Sequence, residues 1–217
     1  MSAAGTPLRS QLRLPTGLRL IPLPYNLGPV FERASFFLAR AAHAEFAAAS
    51  VACEWLDLAT LKLPPCDAGP CYAHPSVQQA AAVIRESKAI LVATPIYNYD
   101  VSSAAKNLVE LTGKAWQGKV VGFLASAGGQ GSYMSLLGLA NSLMLDFLSV
   151  LIPRFVFATE KAVADNQIVD QEINRRIGEL VQQAVWMGNA LSPGNSLSPG
   201  NSLSPGNSLS AAPPELT

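Results

Sequence analysis

Charged side chains are few in this chain. Asp, Glu, Lys and Arg make up 14% of its 217 residues, and 15 basic residues balance 15 acidic ones. Ordinary soluble domains carry roughly 25% charged residues. Zero net charge removes the electrostatic footprint of a nucleic-acid or anionic-membrane partner. Cysteine is also scarce. Cys53, Cys66 and Cys71 are too few, and odd in number, for a secreted disulfide scaffold, so a reducing cytoplasm is the expected compartment. The two histidines, His43 and His74, lie far apart and offer no Ser–His–Asp set. Cys66, Cys71 and His74 lack a neighbouring fourth ligand for zinc, and Asp67 sits in a Pro-rich loop. No metal site is therefore expected. What is abundant is apolar: 49% of residues are hydrophobic, which excludes disorder for the bulk of the chain.

Three segments are expected. Residues 1–17 read as a flexible lead-in. Arg9, Arg13 and Arg19 with no acid before Glu32 leave an organelle transit peptide as the alternative. Residues 18–189 read as one folded domain. From Asn195 the unit Asn-Ser-Leu-Ser-Pro-Gly repeats, through Asn201 and toward Asn207, with Leu191–Gly194 as a partial first copy; Pro-Gly with a single Leu per unit cannot sustain a helix or a core, so residues 190–217 are expected to form a disordered tail. The tail does not explain the charge deficit, because it holds one charged residue, Glu215. The deficit belongs to the domain.

Within the domain, apolar runs alternate with helical patterns. Leu18–Leu23, Val51–Leu58, Ala89–Thr94, Lys119–Ser126 and Phe155–Thr159 read as strands. AILVAT (89–94) and KVVGFLAS (119–126) are continuous apolar runs, as central parallel strands covered on both faces require. Helices are expected over Glu32–Ala49, over Ser76–Ser87 with Ser76 as cap, over Ser103–Leu111 and over Asp170–Met187. A further long apolar helix is expected near 133–152. Asp146 is its one charge. Its Ser and Asn residues make burial in the core or a subunit interface a better reading than a membrane span. This alternation predicts an α/β fold: a doubly wound five-stranded parallel sheet with helices on both faces. Ligands of such sheets bind beyond the carboxyl ends of the strands, so functional residues belong in the loops that come directly after them.

Two such loops carry a signal. Thr94-Pro95-Ile96-Tyr97-Asn98-Tyr99-Asp100 brings a proline, two aromatic rings and an amide to a strand end, then leads into a helix at Ser102-Ser103. Rings and proline make a flat apolar wall, and backbone N–H groups there meet the polar edge of a planar ligand. Ser126-Ala127-Gly128-Gly129-Gln130-Gly131-Ser132 places three glycines at a strand-to-helix junction, where backbone approaches a ligand closely. It is neither a P-loop nor a G-x-G-x-x-G fingerprint. TPIYNYDVSSAAKN resembles the ring-binding loop of the NADPH-dependent FMN reductase family, in which Pro-x-Tyr-Asn is followed by Lys-Asn. SAGGQGS before an apolar helix, and WLDLATLKLPPCD after the second strand, resemble the same family over residues 18–188. The resemblance implies a flavodoxin-like fold and the cofactors FMN and NAD(P)H, with the flavin N5 carrying the chemistry so that no catalytic side chain is required. It implies an isoalloxazine held by Pro95, Ile96, Tyr97, Asn98 and Tyr99 with Ser126, Gly128, Gly129 and Gly131. Lys106 and Asn107 begin the helix and read as structural and interfacial.

The first loop departs from the family's phosphate cradle. Arg33 and Ser35 match it, and Asn26 is a further candidate. Pro24-Tyr25 replaces the usual Gly-Ser, Pro29 removes a donor and Glu32 adds a repelling charge. Charge-assisted hydrogen bonds lost there, at about 1.5–3 kcal/mol each, imply weak or substrate-like flavin binding. The expected function is an NAD(P)H-dependent FMN reductase that passes electrons to a flavin, quinone or similar small-molecule acceptor. The alternative is a non-enzymatic flavodoxin-like module with a degraded phosphate loop. A homodimer or homotetramer through the helices at 133–152 and 103–112 suits either, with no nucleic-acid or membrane partner.

Overall fold

The two longest apolar runs form adjacent strands whose side chains divide between two cores. A computed structural model describes residues 18–22 and 30–191, with side chains from Ala34 onward. The elements in chain order are β1 (Leu18–Pro22), α1 (Val30–Ala48), β2 (Cys53–Trp55), α2 (Leu58–Leu61), α3 (Pro75–Glu86), β3 (Ala89–Tyr97), β4 (Asp100–Val101), α4 (Ser103–Thr112), β5 (Val120–Ala127), α5 (Leu137–Phe147), β6 (Val150–Leu151), β7 (Val156–Thr159), β8 (Val163–Ala164), β9 (Gln167–Ile168) and α6 (Gln171–Ala190). The parallel sheet runs β2-β1-β3-β5, with β6 and then β7 on the outer side of β5. The chain order thus reverses between β1 and β3, as in doubly wound sheets of the flavodoxin type.

Alternation along a strand sends successive side chains to opposite faces. Ile90, Val92, Val121 and Phe123 pack under α3, α4 and α5 through Ile84, Leu108 and Leu143. Leu91, Ala93, Leu124 and Val156 pack under α1 and α6 through Leu38, Phe46, Leu180 and Ala184. That double coverage is why these runs lack polar positions. Gly122 lies where the second face is tightest. A Cβ there would meet Leu91 Cδ2 at 2.7 Å, Leu180 Cδ1 at 3.0 Å and Ile152 Cδ1 at 3.1 Å. Gly122→Ala is therefore expected to destabilise the domain by about 1–3 kcal/mol through overpacking, read as a lower urea midpoint at unchanged slope.

Helix starts obey local chemistry. Ser102 caps α4 by accepting from Ala105 N (3.4 Å), and Asp170 caps α6 by accepting from Glu172 N and Ile173 N. For α3 the cap is His74, whose Nδ1 accepts from Ser76 N, with Pro75 as the first helical residue. The expected cap, Ser76, lies inside the helix.

The apolar segment 133–152 is not one helix. Gln130–Leu136 is a 3-10 segment, α5 covers eleven residues to Phe147, and Leu148 ends it in the left-handed region at φ 53°. Val150 and Leu151 then pair with Val120 and Val121 as strand β6. β6 and β7 are one edge strand in two pieces. From Leu151 to Val156 the chain takes five steps where β5 takes three, Val121 to Leu124. Pro153, which has no N–H to donate, and Arg154, at φ 58°, occupy this bulge. Phe155 in the bulge stacks on Tyr133 at 4.8 Å between ring centroids, which ties the 3-10 segment to the sheet edge. β2 is shorter than its expected span, and Leu58–Leu61 turns into α2. Among the described residues no helix is long and apolar enough to cross a membrane. The lead-in 1–17, the first loop at 23–29 and the repeat from 192 onward lie outside the described residues.

Candidate functional site

The two singled-out loops meet because their strands are neighbours that end together. Pro95 of β3 is in register with Ser126 of β5, and both are buried within the sheet. β3 does not end at Thr94. It continues to Tyr97 and folds back through Asn98-Tyr99 into β4, pairing Ile96 with Val101 and Tyr97 with Asp100. Asn98 (φ 50°) and Tyr99 (φ 62°) are both left-handed, the requirement of a two-residue type I′ hairpin. Asn adopts this region readily, whereas a bulky aromatic rarely does. The hairpin is pinned from below. Buried Thr94 Oγ1 lies 3.2 Å from Ser102 Oγ, and Ser102 N donates to Pro95 O at 3.1 Å.

Between hairpin and glycine loop lies a cleft of about 310 Å³, lined by Ile96, Asn98, Tyr99, Ala127, Gly128, Gly129, Gly131 and Ser132. Ile96 is buried, and Tyr99 is 74% exposed at the hairpin tip. The Tyr99 hydroxyl stands 3.5 Å from where a Cβ on Gly131 would be, so its side chain reaches across to the opposite wall. Gly128 and Gly129 are the informative residues. Gly129 has φ −159° and ψ 172°, extended backbone open to any residue, and neither glycine has positive φ. A Cβ on either would meet no protein atom within 4 Å. The fold does not require glycine at these positions. Both glycines are exposed, and the side of the cleft they line is bare backbone. An apolar wall at Ile96, a peptide wall at 128–129 and an amide at Asn98 fit a planar ring with a polar edge. Among the described residues lining the cleft, Tyr99 carries the one ionisable group.

Of the expected ring-binding residues, Ile96, Asn98, Tyr99, Gly128, Gly129 and Gly131 share this cleft. Pro95 and Ser126 lie beneath it. Tyr97, on the opposite side of the strand from Ile96, is partly exposed outside it. Ala127 and Ser132 also line the cleft and were not singled out from the sequence, though both flank the glycine loop. Ser35, the sixth residue of α1, is buried. Asn26 and the Arg33 side chain lie outside the described residues.

Asn107 has a structural task. Its Oδ1 accepts from Cys66 N and its Nδ2 donates to Pro64 O, both at 2.9 Å, so the side-chain amide stands in for a peptide and anchors the 64–66 segment to α4. Lys106 forms an exposed ion pair with Glu110. Asn107→Ala is expected to cost about 1–3 kcal/mol, the penalty of unpaired part-buried backbone groups, and to leave flavin affinity unchanged. Urea unfolding and an FMN titration of the same variant check both halves.

Fold and site together define a flavodoxin-type α/β protein with a ring-sized cleft over the ends of β3 and β5. The model of the NADPH-dependent FMN reductase family matches residues 29–164, more than half of the sequence, and the chain belongs to that family, whose cofactors are FMN and a nicotinamide. It is 27% identical over 112 residues to an NAD(P)H-dependent FAD/FMN reductase from Geobacillus thermodenitrificans, a match spanning 51% of this chain and 60% of that protein. Among solved structures, it is similar to FerB, a flavoenzyme NAD(P)H:(acceptor) oxidoreductase from Paracoccus denitrificans. The TM-score is 0.63 with 18% identity over 80% of this chain and 97% of that one. A flavodoxin from the domain Archaea aligns with a TM-score of 0.52 at 11% identity, over 80% of this chain and 98% of that one. At these identities the likeness concerns the fold.

Proposed function

We propose that residues 18–189 form an NAD(P)H-dependent FMN reductase that delivers electrons to a small planar acceptor such as a flavin or quinone. The observation that carries this reading is the pair Gly128 and Gly129, whose absent side chains leave a bare-backbone wall facing Ile96 and Tyr99. Bound FMN would accept hydride from the nicotinamide and pass the electrons onward. The chain's own residues would do the rest. Ile96 and the 128–129 backbone would bind the ring faces, Asn98 would meet its polar edge, and Tyr99 would close the outer side against water. Arg33, Asn26 and Ser35 are proposed for the phosphate. Because the first loop lacks the usual donors, flavin is expected to exchange rather than remain bound, so the purified protein should lose its yellow colour on dialysis. The test is NADPH oxidation with added FMN and a quinone. Saturable turnover above the buffer rate supports the reading. A rate equal to buffer, with no flavin binding, leaves the non-enzymatic module.

We place the chain in the cytoplasm, where its three cysteines, none of them in a disulfide, would persist as thiols. We further propose a second copy as partner, seated on α5. Leu137, Met144 and Leu145 of α5 are exposed, as are Met134 before it and Leu148 after it, with Leu145 79% and Leu148 68% exposed. Large apolar side chains left in water on and beside one helix are what a partner would cover. Leu145→Glu should convert the dimer to monomer in light scattering. A wild-type monomer at micromolar concentration would exclude this partner.

A further inference from the structure

The segment between β2 and α3 carries two cysteines that line no part of the cleft. Three observations bring them together. Asp67 N–H, in the peptide bond after Cys66, donates to Cys71 Sγ at 3.4 Å. Cys66 Sγ lies 3.7 Å from the hydroxyl of Tyr72, the residue after Cys71. Cys66, Cys71 and Leu63 pack in one small apolar cluster with Val77 and Leu111. Local geometry explains the approach. Asp67 Oδ1 accepts from Gly69 N (2.9 Å) and Cys71 N (3.3 Å), and Ala68 sits at φ 56°, so the chain curls back on itself between the two cysteines. The Asp67 carboxyl is held below its usual range, first by the Cys71 side chain and then by those two amides. Cys66 is half-buried and accessible, whereas Cys71 is buried behind it.

We propose that Cys66 and Cys71 form an oxidisable dithiol that closes to an intrachain disulfide when the protein meets a hydroperoxide. The Cys66 thiol gives up its proton as Sγ attacks one oxygen of hydrogen peroxide. The O–O bond breaks, the sulfur becomes a sulfenic acid and the second oxygen leaves as water after protonation. Cys71 Sγ then attacks the Cys66 sulfur, forms the S–S bond and releases the hydroxyl as a second water. Two thiols and one hydrogen peroxide give one disulfide and two waters, and a dithiol reductant reverses the reaction. Disulfides of this kind in reducing compartments are transient and redox-sensing rather than structural. The pair is also tied to the rest of the domain, since Cys66 N is held by Asn107 of α4.

The test uses the full chain, treated with hydrogen peroxide, alkylated and analysed by intact mass and peptide mapping. The reactive thiol count should fall from three to one, with a bridge joining the peptides of residues 66 and 71, and dithiothreitol should restore all three. Cys53→Ser should fall from two to zero. Cys66→Ser, which leaves the buried position intact, should form no intrachain bridge. Three thiols surviving peroxide, a bridge that includes Cys53, or bridging only between chains would overturn the proposal.

Discussion

Gly129→Val is expected to give a folded protein that has lost its affinity for FMN. Most glycine substitutions fail for one of two reasons: positive φ, or a neighbour in the way. Neither applies here. At φ −159° and ψ 172° the backbone already has the conformation valine prefers, and no protein atom lies within 4 Å of the new Cβ. The thermal midpoint should therefore stay within about 2 °C of wild type, because the stiffer unfolded chain offsets any small loss. The three added carbons project into a cleft of about 310 Å³, against the wall proposed for the ring. A loss of at least about 100-fold in FMN affinity, near 2.8 kcal/mol, is the expected scale. Gly128→Val should behave alike. If affinity survives, the ring does not lie against residues 128–129. If the midpoint collapses, the glycines serve the fold.

The second large effect is on stability. Trp116→Ala should cost about 3–5 kcal/mol, much of the roughly 5–15 kcal/mol by which domains of this kind are stable. Trp116 is 0% exposed and lies in the 3-10 turn Gly113–Trp116 between α4 and β5. Its indole belongs to the core under α3, α4 and α5. Its polar atoms are used as well: Nε1 donates to Thr112 Oγ1 at 2.8 Å, and its carbonyl accepts from Ser149 Oγ at 3.0 Å. One residue thus joins the end of α4 to the turn between α5 and β6. Truncation opens a cavity and takes the indole donor from the Thr112 hydroxyl. Trp116→Phe keeps most of the packing and should lose less than half as much. Urea unfolding at constant slope measures both. A loss under about 1 kcal/mol for the alanine variant would mean that the site collapses around the gap.

Legibility in the sequence differs by element, for physical reasons. AILVAT and KVVGFLAS declared themselves as central strands because double burial leaves no polar position, and the structure fills both faces. The same signal misled at 133–152. An apolar run does not state its period when nearly every residue is apolar, so strand residues Val150 and Leu151 were absorbed into a helix that ends at Phe147. The hairpin at Asn98-Tyr99 was hidden because the usual Asn-Gly signal is absent, and tyrosine takes the left-handed position against its preference. The glycine loop was visible as composition only. Gly128 and Gly129 face open space and do not turn the chain, a property set by how the loop sits over the sheet and not by its composition. The Asn107 anchor spans 41 residues to Cys66 and has no local trace. Family resemblance located the loops, while adjacency of β3 and β5, fixed by the Pro95–Ser126 register, makes them one site.

The claim that unites these points is that a flavin ring lies between the hairpin tip and the glycine loop. Titration of FMN into the full chain and its Gly129→Val variant, monitored by quenching of flavin fluorescence and by the visible spectrum, tests it directly. Saturable quenching with the wild type and little or none with the equally stable variant is the expected result. Equal quenching by both proteins, or none by either up to millimolar FMN, would contradict it.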